Sequence, residues 1–271
     1  MESSHTQPPE GTDLSVDDRR DLLTAALLDD DAASALWSLV DSGLAEVVVP
    51  ELLALRLEQD PIHKHKDVLS HTIAVTGKTP GDLRLRLGAL FHDIGKPATR
   101  SFDHGGVTFR HHEAVGAKIT RKRLRELEYP RDVVRDVAEL VRLSGRFKGY
   151  ADGWGDAAVR RYARDAGHLL GLLNELVRSD CTTRNQRKRL ELQHHVDDLE
   201  RRIADLAEAD RRAAERPALD GAAVMAHLGI EPGPEVGLAL AFLLELKRAE
   251  PTLGVEETTE RLDAWWADYS S

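Results

Sequence analysis

Residues 83–96, LRLRLGALFHDIGK, constrain this chain more than any other stretch. Leu83, Leu87, Leu90 and Ile94 recur at intervals of four, three and four, which builds one apolar stripe along a helix and buries it. His92 and Asp93 stand at the end of that helix, and Gly95 after them suits the left-handed turn that stops one. A carboxylate at the end of a buried helix costs on the order of several kcal/mol unless a cation or a hydrogen-bond network compensates it. A metal ion is one such compensation.

The helical spacing returns along most of the chain. A helix capped by Asp13 or Ser15 runs through Leu22, Leu23, Ala26 and Leu27, and further helices are expected over about 32–42, 67–75, 111–127, 131–143 and 169–180. The one β-like run, Val47 to Val49, is stopped by Pro50 and is too short to found a sheet. Residues 97–110 read as a loop with an extended piece at 107–109, and 144–155 as a glycine-rich loop. From Asn185 onward Leu192, Val196, Leu199, Ile203 and Leu206 form a coiled-coil-like seam on a long charged helix, ended by Pro217 and followed by a small helical tail. The expected fold is all-α, with an acidic, partly disordered leader at 1–34, a main helical domain at 35–183 and a helical extension at 184–271.

Composition narrows the function classes. Cys181 is the single cysteine, so no intramolecular disulfide forms and a reducing, cytoplasmic setting is expected. No apolar run reaches the roughly 20 residues of a membrane span. The net charge is −10, and residues 1–34 carry seven of those charges, which argues against bulk affinity for phosphate backbones. Two basic clusters, 118–125 (KITRKRLR) and 184–189 (RNQRKR), read first as solvated helix faces and second as backbone contacts to nucleic acid.

Four residues point to one chemistry. His71 shares the inward face of its helix with Val68, Thr72 and Val75, and Asp180 continues the stripe of Leu169, Leu172, Leu173, Leu176 and Val177. With His92 and Asp93 they make two imidazoles and two carboxylates, a set suited to one divalent ion among Mn, Fe, Co, Ni, Mg and Zn, with positions left for water and substrate. Such an ion lowers the pKa of its water and polarises a phosphoryl oxygen, so phosphoester hydrolysis is the reaction it serves best. Lys96, one turn beyond His92, reaches toward a phosphate at the metal, and Arg100, Arg110, His111 and His112 arrive from the following loop to neutralise charge. A histidine there, His112 for one, would donate a proton to the leaving group. Asp93, Lys96 and His112 are thus the candidate catalytic groups, whereas Cys181 lacks any fixed histidine partner.

The pattern His71, His92-Asp93, Asp180 resembles the H…HD…D signature of the HD superfamily of metal-dependent phosphohydrolases, which are all-α helical bundles. From about Leu36 onward the stretches LRLEQDPIHKHKDVLSHT, LGALFHDIGKPATR, VTFRHHEAVGAKITRKRLREL and LVRSDCTTRN are similar to the C-terminal half of bacterial CCA-adding tRNA nucleotidyltransferases. With about 35 residues ahead of that stretch, the resemblance implies an HD domain without the nucleotidyltransferase head, unable to add CCA by itself. Where that family commonly carries two further histidines, this chain has Ser144 and Lys148, which favours one ion over two. The implied substrate is a phosphomonoester or cyclic phosphodiester of a nucleotide or related small phosphate. The alternative is a tRNA-binding or regulatory module without turnover.

Overall fold

The structure is a computed structural model and describes residues 13–57, 67–103, 106–183 and 185–271. Short polar caps set the helix starts. The Ser15 hydroxyl accepts the Asp18 N–H while the Asp18 carboxylate accepts the Ser15 N–H, a reciprocal cap that opens α1 (Val16–Leu28). The Asp31 carboxylate accepts the Ser34 N–H and so opens α2 (Ala32–Asp41), without the return bond. Two single turns follow, α3 (Ala45–Val48) and α4 (Pro50–Leu53), so Val47 and Val48 of the run that looked β-like are helical and Val49 joins the turns. Asp67 caps α5 (Val68–Lys78) and Asp82 caps α6 (Leu83–Phe91).

α6 is the central helix, packed by α5, α9 (Arg131–Leu143), α11 (Leu170–Asp180) and α1. It is buried on more than the expected stripe: Leu85, Ala89 and Phe91 are as enclosed as Leu87 and Leu90. Each such leucine stabilises the fold by roughly 1.5–3 kcal/mol through area removed from water. Arg86 is buried as well, and its guanidinium donates to the backbone carbonyls of Leu27, Asp29 and Thr79. These bonds tie α6 to the end of α1, whose Leu23 and Leu27 lie in the same core.

Beyond α6 the chain turns tightly. His92 caps the helix in right-handed geometry, and the Ile94 and Lys96 amides bond back to Phe91 and Asp93. A single turn, α7 (Lys96–Thr99), leads to a two-stranded antiparallel hairpin, β1 (Ser101–Asp103) and β2 (Gly106–Thr108), registered Ser101 to Thr108. The segment read from sequence as a loop with an extended piece at 107–109 is therefore a helical turn and a hairpin, whose second strand overlaps that piece. α8 (His112–Glu126) follows and packs along α9.

Gly95 is not left-handed, contrary to the expectation from sequence; its φ is −82°. Glycine is needed there for closeness instead. A Cβ at that position would stand 2.1 Å from the His112 carbonyl oxygen and 2.6 Å from the Gly116 amide nitrogen.

α10 (Asp156–Ala166) and the long α12 (Gln186–Ala214) complete the first compact unit, which extends to Ile203. That unit includes α1 from the residues expected as a leader and the first part of α12. The second unit, from Ala204, contains α13 (Gly221–Leu228), α14 (Pro234–Ala249) and α15 (Val255–Tyr269) around Val224, Ala239, Leu243 and Leu262, with Trp265 stacked on Phe242. No helix among the described residues is long and apolar enough to cross a membrane.

The backbone approach at Gly95 gives a direct test. Gly95→Ala should destabilise the protein by about 1–3 kcal/mol in urea unfolding through overpacking against α8. Gly81→Ala, where a Cβ meets nothing within 4 Å, should leave the midpoint unchanged. Equal midpoints for both variants and the parent would contradict the close crossing.

Candidate active site

Three elements converge at the ends of α5, α6 and α11. His71 lies one turn into α5, His92 and Asp93 follow the last turn of α6, and Asp180 is the final residue of α11. His71 Nε2 is 2.9 Å from Asp180 Oδ1, and His92 Nε2 is 3.5 Å from the same oxygen. The two imidazoles meet edge to face with centroids 5.4 Å apart. One ligand atom from each of His71, His92 and Asp180 falls within 4.8 Å of the other two, a grouping able to hold a metal ion.

The hydrogen bonds around this trio fix its donor atoms. His92 Nδ1 donates to the Ala89 carbonyl oxygen at 2.7 Å, which leaves Nε2 as the lone-pair nitrogen. That Nε2 is buried and has no hydrogen-bond partner, a costly arrangement unless something else takes the lone pair. His71 Nδ1 is 3.1 Å from the Thr182 hydroxyl, which orients the ring so that Nε2 faces Asp180. An unpartnered imidazole nitrogen, a second oriented imidazole and a carboxylate are what a divalent cation requires, and the residues fit one.

Asp93 is the buried hub beside the trio, with only 2% of its surface exposed. Its Oδ2 accepts from the Lys96 ammonium at 2.7 Å and lies 3.3 Å from His92 Nε2 and 3.7 Å from His71 Nε2. Its Oδ1 is 3.6 Å from His112 Nε2. Burial disfavours a charged His92, but the Asp93 and Asp180 carboxylates outweigh it and push its pKa up to about 10. Burial likewise works against ionised Asp93 and Asp180, and the facing cations nevertheless hold both below the usual carboxylate range. Among the protein's own groups the set favours positive charge at its centre, held by a His92 proton, and a metal cation bound there would displace that proton and take the Nε2 lone pair.

A cavity of about 370 Å³ opens over the trio. Lys96, His112, Ser144, Gly145, Lys148 and Thr182 complete its lining. The Lys96 ammonium, 5.6 Å over the Phe109 ring, is buried by its pairing with Asp93. His112 Nδ1 donates to the Phe109 carbonyl at 2.8 Å, and burial pushes its pKa down. Lys148 Nζ reaches Glu113 Oε1 at 3.2 Å, and Glu113 lies so close to Gly145 that a Cβ there would meet its carboxylate. Burial acts against the Glu113 charge, yet its own amide, His112 and Lys148 lower its pKa.

Residues 68–232 match the HD domain. The chain belongs to the HD domain family. It is also 35% identical over 256 residues to a CC-adding tRNA nucleotidyltransferase of Thermus thermophilus, and 35% identical over 259 residues to an A-adding tRNA nucleotidyltransferase of Deinococcus radiodurans. These alignments take in 90% and 92% of this chain but 55% and 58% of those proteins, so the chain spans little more than half the length of these curated relatives.

Within this HD domain, His71, His92, Asp93, Lys96, His112 and Asp180 are brought together around one cavity. Arg100, Arg110 and His111 do not line it. Arg100 stacks its guanidinium 5.3 Å over Phe102, and His111 precedes α8 in a left-handed conformation, exposed. Thr182, Gly145 and Glu113 were not legible beforehand; the only local sign of the last was its place next to His112. Ser144 and Lys148 had been noticed only as departures from a family pattern.

The unpartnered His92 nitrogen yields a prediction. The parent chain, loaded with Mn²⁺ or Ni²⁺ and desalted, should retain metal by elemental analysis, and chelation should lower its Tm because the ion binds the folded state. His92→Ala and Asp180→Asn should each weaken binding by about tenfold or more. Equal retention by parent and variants would remove the metal centre.

Proposed function

We propose that this chain is a divalent-metal-dependent phosphohydrolase acting on phosphomonoesters or cyclic phosphodiesters of nucleotides or related small phosphates. The observation that carries the reading is the buried, unpartnered His92 Nε2, which converges with His71 and Asp180 beneath a cavity bearing two lysines. His71, His92 and Asp180 would hold one ion, with Asp93 as the second carboxylate of the set. An ion so held supplies a water of lowered pKa and polarises a phosphoryl oxygen.

The remaining groups have roles that follow from their hydrogen bonds. The Lys148 ammonium stands at the mouth of the cavity, its side chain 73% exposed, and offsets the charge of an entering phosphate. Lys96 is held by Asp93, so its charge acts from a fixed position inside the cavity. His112 has its Nδ1 proton committed to the Phe109 carbonyl, which leaves the Nε2 lone pair toward Asp93 and the cavity. A proton acceptor in that position suits the attacking water or a substrate hydroxyl better than the leaving group. Substrate contacts are assigned to Lys96, His112, Ser144 and Lys148, and not to Arg100, Arg110 or His111.

A second reading, a tRNA-binding module without turnover, is favoured by one observation. Similarity to the two tRNA nucleotidyltransferases covers 90% and 92% of the chain, whereas the HD domain match ends at residue 232.

Metal-loaded protein should release phosphate from nucleoside monophosphates or open 2′,3′-cyclic nucleotides. The double variant His92→Ala, Asp93→Ala should show no turnover above background, and Lys148→Ala should raise KM about tenfold with a smaller change in kcat. If the loaded protein transforms nothing in the panel while retaining tRNA on filters at low salt, the second reading stands and the first falls.

A further inference from the structure

Four arginines from two helices surround a second cavity, on the other side of α8 from the metal site. Arg121 and Arg125 lie one turn apart near the C-terminal end of α8, and Arg131 and Arg135 one turn apart at the start of α9. The tight turn between the helices, with Glu128 in a left-handed conformation, faces the two pairs toward each other. Together with Tyr129 and Val134 they line a space of about 630 Å³. Nine residues of helix separate Arg121 from His112, about half a turn round the axis, so the arginines occupy the face of α8 away from the catalytic cavity.

The positive charge at this place is only partly balanced by its neighbours. Among the described residues no carboxylate lines the cavity. Of the nearby acids, Glu126 pairs with Lys122 and Arg123 and Asp132 with Arg84, while Glu139 pairs with Arg142 and also feels Arg121, and Glu128 lies exposed in the turn. Arg135 pairs with Asp136, while Arg125 and Arg131 have no ion-pair partner among the described residues. Arg131 stands in the first turn of α9, where the helix dipole disfavours a cation. The floor is rigid, since the buried Tyr129 hydroxyl is 2.8 Å from the Thr24 hydroxyl of α1. Like charges i,i+4 on both helices, set against a helix N-terminus and a fixed wall, make a poor solvated face and a good phosphate cradle.

The structure also sorts the basic cluster at 118–125. Arg123 belongs to the fold, because it forms a bidentate pair with Glu51. We propose that Arg121, Arg125, Arg131 and Arg135 form a docking site for the phosphodiester backbone of a nucleic acid strand, separate from the metal cavity and independent of the hydrolytic reading. Planar guanidiniums presented in pairs match successive phosphate oxygens, and backbone contacts of this kind carry affinity without base specificity.

The test uses the full chain and a fluorescein-labelled 20-nucleotide single-stranded RNA, titrated by anisotropy between about 50 and 200 mM salt. The double variant Arg125→Gln, Arg131→Gln should weaken binding by about tenfold or more at the low end and lower the slope of log affinity against log salt by one to two. A control of equal charge change on the other basic cluster, Arg187→Gln with Arg189→Gln, should bind within about twofold of the parent. Unchanged thermal melting and unchanged phosphate release from mononucleotides in the arginine variant separate loss of docking from loss of fold or catalysis. No RNA binding by the parent at low salt, an arginine variant that binds as the parent does, or an equal loss in the control pair would each overturn the site.

Discussion

The buried Asp93 carboxylate is the constraint on which the site depends. An ion removed from water at the end of a core helix must be met by opposite charge, and a lone partner would not suffice. Lys96, His92, His71 and His112 approach it from α7, α6, α5 and α8 in turn. The elements of the first unit that carry chemistry are thereby drawn to a single point. His92 bonds its other nitrogen to its own helix, and His71 is oriented by Thr182 after α11, so each ring is fixed before a ligand arrives.

Packing supports that convergence by closeness of backbone more than by bulk. Gly95 and Gly116 let the turn after Asp93 pass against the first turns of α8, which places His112 over the carboxylate. Gly145 performs the corresponding service for Glu113 and, through it, for Lys148. The cavity that results is enclosed at its histidine base and open at its lysine mouth, with Asp180 half exposed between them. A buried base keeps the donor atoms fixed, and an open mouth suits the charged substrate proposed for it.

Much of the fold was legible because helical periodicity is a local property. The helix at 131–143 matches its expected bounds, and the stripe through Leu87, Leu90 and Ile94 is buried as expected. The reading failed where local signals compete. Leu85, Arg86 and Phe91 fall off the stripe and are nevertheless enclosed, because α6 is covered from several sides. Gly95 looked like a helix stop and is a contact point. The hairpin after α7 has only three residues in each strand, below what alternation can announce.

What the sequence determined by itself is the set of residues proposed to hold the ion: inward His71, adjacent His92 and Asp93, and Asp180 at the end of an apolar stripe, each placed by the spacing of its own helix. What only the tertiary structure decided is which of the remaining polar groups join them. Lys96 turned inward to neutralise Asp93, Lys148 came to the mouth from a loop, and Arg100, Arg110 and His111 stayed outside the cavity. The division has a physical cause. A helix fixes the direction of its side chains within three or four residues, whereas the partner of a charge depends on which distant elements the core packs against it.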